Sequence, residues 1–427
     1  MHSELHLTEI ALVVVAALAG GLALVRLKQP PILGYILAGI ILGPSGLGLV
    51  ESREFVSTLA ELGVLLLLFV VGMELNLRTF KKAWVITTLC TTLQIATALT
   101  ITFLLAPLFG WSVGMSLLFG FVMSLSSTAV VVNMLENINE YRTEAGQYAI
   151  GVLIAQDLAI VPMILILRNL GKSVFDHGLI MKLVLSISLI IVLIAYLSRK
   201  QRVRIPLTQM ISGIKELTPL ACLTFCFAAA AISGLIGLSA AYGAFLAGLV
   251  LGNTHERLIL LETTQPIQST LLMVFFLSIG LLLDIHFIID HWGMVLVLLF
   301  VITIVKTALN IGILHLLRLP WSQSFLIGVV LAQLGEFAFL LATVGYETKI
   351  IDSYGQKLII ALTVLSLAFS PVWLSIARRL KLRATNGHPG LFRLIILSIG
   401  GGESGWYSRL KTKTKKPIPV TIDEEDS

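Results

Sequence analysis

Charge is scarce in this 427-residue chain. Only 13% of its residues are Asp, Glu, Lys or Arg, against about a quarter in soluble domains. Hydrophobic residues make up 57%, and the mean hydropathy is +0.95. That balance excludes a water-soluble globule. Cysteine is scarce too: Cys90, Cys222 and Cys226 all lie inside apolar runs. Cys222 and Cys226 share a helix face at i, i+4, but no histidine or third ligand stands nearby, so packing is their expected role. No phosphate-binding loop with its strand and helix is present, which argues against ATP-driven pumping. No small-residue cleavage site follows the first apolar run, whose leading flank is acidic, so a retained helix is expected there. A net charge of +6 and a pI near 9.2 would suit nucleic acid. The basic residues instead fall in loops and tail, so the expected partner is a lipid bilayer and not nucleic acid.

What the chain does have is a succession of runs of about 20 apolar residues, each long enough to cross a hydrocarbon core. Irregular backbone cannot face lipid, so these runs are expected to be helices. They fall near 6–26, 30–49, 56–73, 82–106, 112–135, 145–170 and 178–197, then 218–236, 238–252, 269–283, 292–317, 322–345 and 357–378. The ninth and tenth are short. The reading is an all-α polytopic membrane protein of about 13 transmembrane helices over residues 1–380, with a short disordered tail at 381–427. With the N-terminus outside and the C-terminus cytoplasmic, seventeen Lys and Arg residues lie on the cytoplasmic side against six outside. That excess sets the expected orientation.

The chain also repeats itself. Leu37-Ala38-Gly39-Ile40-Ile41-Leu42-Gly43 recurs as Leu246-Ala247-Gly248-Leu249-Val250-Leu251-Gly252, 209 positions later. At a shift of 208, Gly72 falls on Gly280, Trp84 on Trp292 and Gly120 on Gly328. The copies, about 6–170 and 218–378, flank a connecting span at 178–197. Seven spans separate the partners, an odd number, so the copies cross the membrane in opposite directions. Inverted repeats of this kind are common in secondary transporters. The shift also pairs two interruptions at mid-span: Ser124-Leu125-Ser126-Ser127-Thr128 with Ala332-Gln333-Leu334-Gly335-Glu336. Hydroxyl side chains bond freed backbone groups and Gly335 weakens helix continuity, so two broken, crossing helices are expected. The plainer reading is that Ser and Thr here only let helices pack closely.

Few ionisable residues lie well inside the spans: Asp157, Lys306, Glu336 and, closer to an end, Glu74. A carboxylate at the membrane midplane costs about 3 kcal/mol even on the lenient insertion scale. Helices interrupted at that depth are how transporters expose backbone to an ion. A hard cation such as Na⁺ or K⁺ wants oxygen ligands. Asp157, the Gln156 amide, the hydroxyls of Ser126, Ser127 and Thr128, and unwound carbonyls supply them. The same carboxylate can hold a proton instead, which makes the two ions competitors and suffices for antiport. The alternative is a salt bridge that only holds helices together. Lys306 stands midway along its span, either neutralising Asp157 when no cation is bound or pairing with Glu336. If it stays protonated, exchange is one for one; if it releases its proton, two protons can move per cation. Glu336 is expected to compensate the broken twelfth span, Glu74 to snorkel, and His315 to pack.

These residues resemble the Kef-type, potassium-handling branch of the monovalent cation–proton antiporters. The likeness covers nearly all of residues 1–380 and rests on Gly34–Pro44, Gly63–Leu75, Ser126-Ser127-Thr128, Ala155-Gln156-Asp157 and Gln333–Phe339. It implies the sodium/proton antiporter fold and a homodimer in a bacterial-type inner membrane. It also implies an elevator-like shift of a core that carries the crossed spans. In that pattern Asp157 matches the ion-binding acid, Gln156 its neighbour and Lys306 the basic residue of span eleven. Other branches carry Asn or a second Asp at the Gln156 position; the Gln favours K⁺ over Na⁺. No cofactor is implied beyond the transported ions.

Kef-type proteins often continue into a cytosolic nucleotide-binding domain. Here Leu394–Ile399 followed by Gly400-Gly401-Gly402-Glu403-Ser404-Gly405 formally fits a dinucleotide fingerprint, but only 22 Lys-rich, Pro-containing and finally acidic residues follow. That is too little for a βαβ unit. Regulation by nucleotide is therefore not expected unless the chain is truncated or a separate subunit supplies the domain. Two other functions compete with exchange. An intramembrane aspartyl protease needs two facing carboxylates and leaves the repeat unexplained. A sodium-coupled solute symporter on the same scaffold has no use for a proton-titrating acid, so proton release on cation addition separates it from an antiporter.

Overall fold

The computed structural model describes residues 2–27, 29–49, 53–74, 77–170, 188–189, 192–194, 196–197, 217–236 and 239–385. The connecting span expected at 178–197 lies almost wholly outside these, as do the Leu394–Ile399 run and the glycines after it. Among the described residues the regular structure is helical throughout. The first copy of the repeat supplies α1 (His2–Arg26), α2 (Pro31–Leu42), α3 (Arg53–Glu74), α4 (Leu77–Phe109), α5 (Val113–Ser124), α6 (Thr128–Asn137) and α7 (Glu144–Leu170). The second supplies α8 (Leu217–Leu235), α9 (Ala240–Leu251), α10 (Arg257–Leu282), the short α11 (Ile285–Asp290), α12 (Trp292–Leu316), α13 (Trp321–Val330), α14 (Phe337–Glu347) and α15 (Ser353–Thr385). Met1–Pro371 forms one compact unit, and the described part of the second is the end of α15. Seven stretches are long and apolar enough to cross a membrane unaided, counting Val113–Asn137 as one; shorter apolar helices include α2, α9, α13 and α14.

The two copies begin their helices at matching places. Pro30 precedes α2 and Ser239 caps α9, 209 residues on; Ser112 caps α5 and Pro320 precedes α13, 208 residues on. Each serine accepts an N–H from the first turn, Met115 N to Ser112 Oγ and Tyr242 N to Ser239 Oγ, both at 3.1 Å. Each proline suits a helix start because its missing N–H would be unpaired there anyway.

The packing repeats as well. Gly39 of α2 lies against the Leu277 carbonyl and Gly280 of α10. Gly248 of α9 lies against the Phe69 carbonyl of α3, and Gly72 of α3 against Phe245 and Gly248. Shifting the first contact by 208 or 209 positions produces the second. Gly39, Gly72, Gly248 and Gly280, quoted above as part of a sequence repeat, are thus places where helix backbones touch. Cys222 and Cys226 sit buried in the cluster around the second of these contacts, with Leu66, Phe69 and Met73.

Outside the spans, Asp284 fixes the turn after α10. Its carboxylate accepts the Phe287 N–H at 3.1 Å, capping α11, and the Lys357 ammonium at 2.9 Å. The Lys357 hydrogen bond, then the Phe287 N–H, hold this carboxyl below the usual aspartate range. A depressed folded-state value means the stabilisation is present above the unfolded aspartate pKa of about 3.9 and is lost as pH falls through the lower folded value. Asn caps a helix as well as Asp does, so Asp284→Asn removes only a partly exposed ion pair. It should cost less than about 1 kcal/mol at neutral pH, with a smaller difference from the parent at about pH 3, below the unfolded aspartate value. Thermal unfolding at the two pH values checks this.

Candidate functional site

The two interruptions form where expected. α5 ends at Ser124, whose hydroxyl bonds back to the Phe121 carbonyl at 2.7 Å, and Leu125 then turns extended with ψ 146°. Ser127 caps the restart, accepting the Val130 N–H at 3.3 Å, and α6 begins at Thr128. In the second copy α13 stops at Val330 and α14 restarts at Phe337, one residue wider than the expected 332–336 break.

The two breaks touch. Ser126 Oγ donates to the Leu331 carbonyl at 2.9 Å, and the Gln333 amide donates to the Ser127 carbonyl at 3.4 Å. A Cβ on Gly335 would stand 2.8 Å from the Ser126 carbonyl carbon and oxygen. Gly335 does more than weaken a helix: it leaves the room in which the two unwound stretches of backbone cross.

The charges sit at the helix ends that suit them. Asp157, buried on α7, accepts the Thr128 hydroxyl through Oδ2 at 3.2 Å, at the N-terminus of α6. Glu336, also buried, occupies the residue before α14. Both carboxyls therefore stand at N-terminal, partially positive ends. Lys306 of α12 is buried as well, and its Nζ donates to the carbonyls of Leu125 and, at 2.8 Å, Gln333. These two carbonyls are 208 positions apart, so the ammonium sits between equivalent points of the two copies, where partially negative C-terminal ends converge. Pairing with Asp157 or with Glu336 was expected of it; among the described residues it forms an ion pair with neither, and backbone oxygen takes its protons. Glu336 keeps one carboxyl oxygen, Oε2, without a hydrogen-bond partner, and Gln333 Oε1 is likewise buried and unpartnered.

Gln156 turns its amide away from Asp157. Its Oε1 accepts the Ser126 N–H at 2.9 Å and its Nε2 donates to Gln94 of α4 at 2.9 Å. Gln94 in turn donates to Asn310 of α12 at 2.9 Å. Neither Gln94 nor Asn310 was singled out above. Their signal was an amide in the middle of an apolar span, which a search for charge passes over. In the second copy Ser366 of α15 accepts the Leu334 N–H at 3.1 Å, the place equivalent to the Gln156–Ser126 bond. Among the described residues no group of three or more His, Cys, Asp and Glu side chains is placed to hold a metal ion.

Residues 12–378 match the family described as sodium/hydrogen exchanger, transmembrane. The chain is 46% identical over 415 residues to the iron transporter MagA of Paramagnetospirillum magneticum, covering 96% of this chain and 95% of that one. It is 33% identical over 371 residues to K(+) efflux antiporter 5 of Arabidopsis thaliana, covering 86% of this chain but only 65% of the plant protein. Among solved structures, the sodium proton antiporter MjNhaP1 of Methanocaldococcus jannaschii superposes with a TM-score of 0.68 at 17% identity, covering 89% of this chain and 99% of that one. At that identity the likeness concerns the fold. Matched along almost all of its membrane part, the chain belongs to the sodium/hydrogen exchanger family of cation:proton antiporters, membrane transporters and not enzymes.

Proposed function

We propose that the protein exchanges a monovalent cation for protons by alternating access, K⁺ favoured and Na⁺ accepted, the two ions competing at Asp157. The observation that carries this is one buried carboxylate at the N-terminal end of an interrupted helix, partnered by the Thr128 hydroxyl and not by the nearby lysine. Thr128 supplies a hydroxyl oxygen beside it, Ser126 and Ser127 belong to the same unwound stretch, and the unpartnered Glu336 and Gln333 oxygens add acceptors at the same crossing. A bare carboxylate is costly in low dielectric. Either ion neutralises it, so the loaded forms cross readily and the empty one does not. Lys306 is held by two backbone oxygens and not by Asp157; if it keeps its proton through the cycle, exchange is one for one and electroneutral. The Gln at 156 supports K⁺ as the preferred cargo, as does the potassium named for the plant relative. We place the protein as a homodimer in a bacterial-type inner membrane with its N-terminus outside and C-terminus cytoplasmic.

The name of the 46% relative raises iron as cargo. The donor set speaks against it. A divalent, borderline metal calls for imidazole or several anionic ligands, and among the described residues no cluster of three such side chains exists. The test is transport in sealed vesicles that enclose a pH dye. External K⁺ or Na⁺ should raise internal pH, Fe²⁺ should not, and an imposed membrane potential should leave the initial rate unchanged. Silence to every alkali cation, or a response to Fe²⁺ exceeding that to K⁺, would overturn the proposal.

A further inference from the structure

One network at the crossing remains without a role. Ser126 N–H donates to Gln156 Oε1, Gln156 Nε2 to Gln94 Oε1, and Gln94 Nε2 to Asn310 Oδ1, each at 2.9 Å. Asn310 Nδ2 then donates to the Leu331 carbonyl at 3.3 Å, which also accepts Ser126 Oγ at 2.9 Å. The five residues close a ring that runs from one interruption through α7, α4 and α12 to the other and back. All three amide side chains are buried.

The ring has only one direction. It starts at a backbone N–H, which can only donate, and ends at a backbone carbonyl, which can only accept. Each amide must therefore present its oxygen toward Ser126 and its nitrogen toward Leu331. Reversing any one would set donor against donor or acceptor against acceptor in a buried place and leave those groups unsatisfied. Gln156 thus has its nitrogen committed to Gln94 and one lone pair of its oxygen committed to Ser126. The second copy shows the simpler solution. There the equivalent N–H meets the Ser366 hydroxyl, which needs no onward chain. The copy that carries Asp157 uses instead a longer side chain whose other end has to be bonded, and Gln94 and Asn310 bond it.

We propose that Gln94 and Asn310 are positioning residues of the exchange site: through Gln156 they hold the two interruptions in one register, leaving Asp157, Thr128 and exposed backbone oxygen to contact the ion. Gln156 then acts on cation affinity through the geometry it imposes on the two interruptions. This rests on the exchange reading above and specifies how its site is held.

The test measures the K⁺ concentration for half-maximal exchange across pH 6 to 9 (roughly the range in which buried carboxyls titrate) in reconstituted wild type, Gln94→Leu, Asn310→Leu and Gln94→Glu. Both leucine variants should raise it by about tenfold, the equivalent of one lost hydrogen bond of about 1.4 kcal/mol. Gln94→Glu should rescue at acid pH only. Its neutral carboxyl still accepts from Gln156 and donates to Asn310, whereas its ionised form cannot donate. The ratio of its half-saturating K⁺ to that of wild type should therefore climb with pH from near one. The charged groups at the crossing, Asp157 on α7, Glu336 at the head of α14 and Lys306 on α12, are present in every variant, and Asn310→Leu, which adds no titratable group, is the reference for their own pH dependence. A residue that merely fills space would lower the yield of folded protein without producing this pH signature. Leucine variants with wild-type half-saturation, or a flat Gln94→Glu ratio, overturn the proposal. Should the leucine variants not fold, the Gln94→Glu ratio decides alone. Asp157→Asn, run alongside, separates the two claims. If it is silent while the ring variants behave as wild type, the ring fails and exchange stands; if it transports normally, the exchange reading itself fails.

Discussion

Asp157→Asn should reduce cation-evoked proton movement to the level of protein-free vesicles. An amide neither releases a proton near neutral pH nor supplies a full negative charge to an alkali ion, so the substitution removes both halves of the exchange at once. The fold should survive. The replacing amide has the same shape as the carboxylate, can still accept the Thr128 hydroxyl, and no longer carries a charge that burial penalises. The partner of Asp157 in the structure is that hydroxyl and not Lys306, whose protons go to the Leu125 and Gln333 carbonyls. Among the described residues no ion pair is therefore broken, and the Lys306 ammonium keeps its acceptors. Thermal unfolding of the detergent-solubilised variant should fall at or above that of the parent, while transport disappears. A variant that keeps half the parental rate with K⁺ would show that the proton and cation bind elsewhere.

How much of this was legible beforehand divides along a physical line. The repeat and both interruptions were readable because they are local. Ser124–Thr128 offers hydroxyls to freed backbone, Gly335 cannot hold a helix firmly, and a constant shift of 208 or 209 links the two copies. The acid was readable because a charge in an apolar run is conspicuous. What Lys306 bonds to was not, since a lysine in a span has two obvious carboxylate partners by composition. The choice of backbone carbonyls instead depends on where two helices happen to end. Gln94 and Asn310 escaped because an uncharged amide has no meaning until its neighbours are known, and theirs come from helices 62 and 216 residues apart along the chain. The glycines of α2 and α9 were noticed for the wrong property. They marked the repeat, but the reason for them is the backbone on the other helix, which no spacing along the chain discloses.

That reason gives the other large effect. Gly248→Ala and its counterpart Gly39→Ala should each destabilise the protein by about 2 kcal/mol or more. A Cβ at Gly248 would stand 1.9 Å from the Phe69 carbonyl oxygen, and one at Gly39 would stand 2.1 Å from the Leu277 carbonyl oxygen. Both obstacles are main chain, so no side-chain rotation relieves them and the helices themselves must separate. Separation also opens the neighbouring contacts, because Gly72 and Gly280 press on the same partners from the opposite side. Against this, Ala gains at most about 1 kcal/mol over Gly in helix propensity, too little to change the sign. Gly234→Ala is the control: nothing lies within 4 Å of its Cβ position, so there only the propensity gain remains. Thermal unfolding in detergent should rank Gly234→Ala at or above wild type, with the other two below it and close to each other. Equal losses at Gly39 and Gly248 are what matching contacts in the two copies require. A Gly248→Ala protein as stable as its parent would mean that α3 and α9 do not approach this closely.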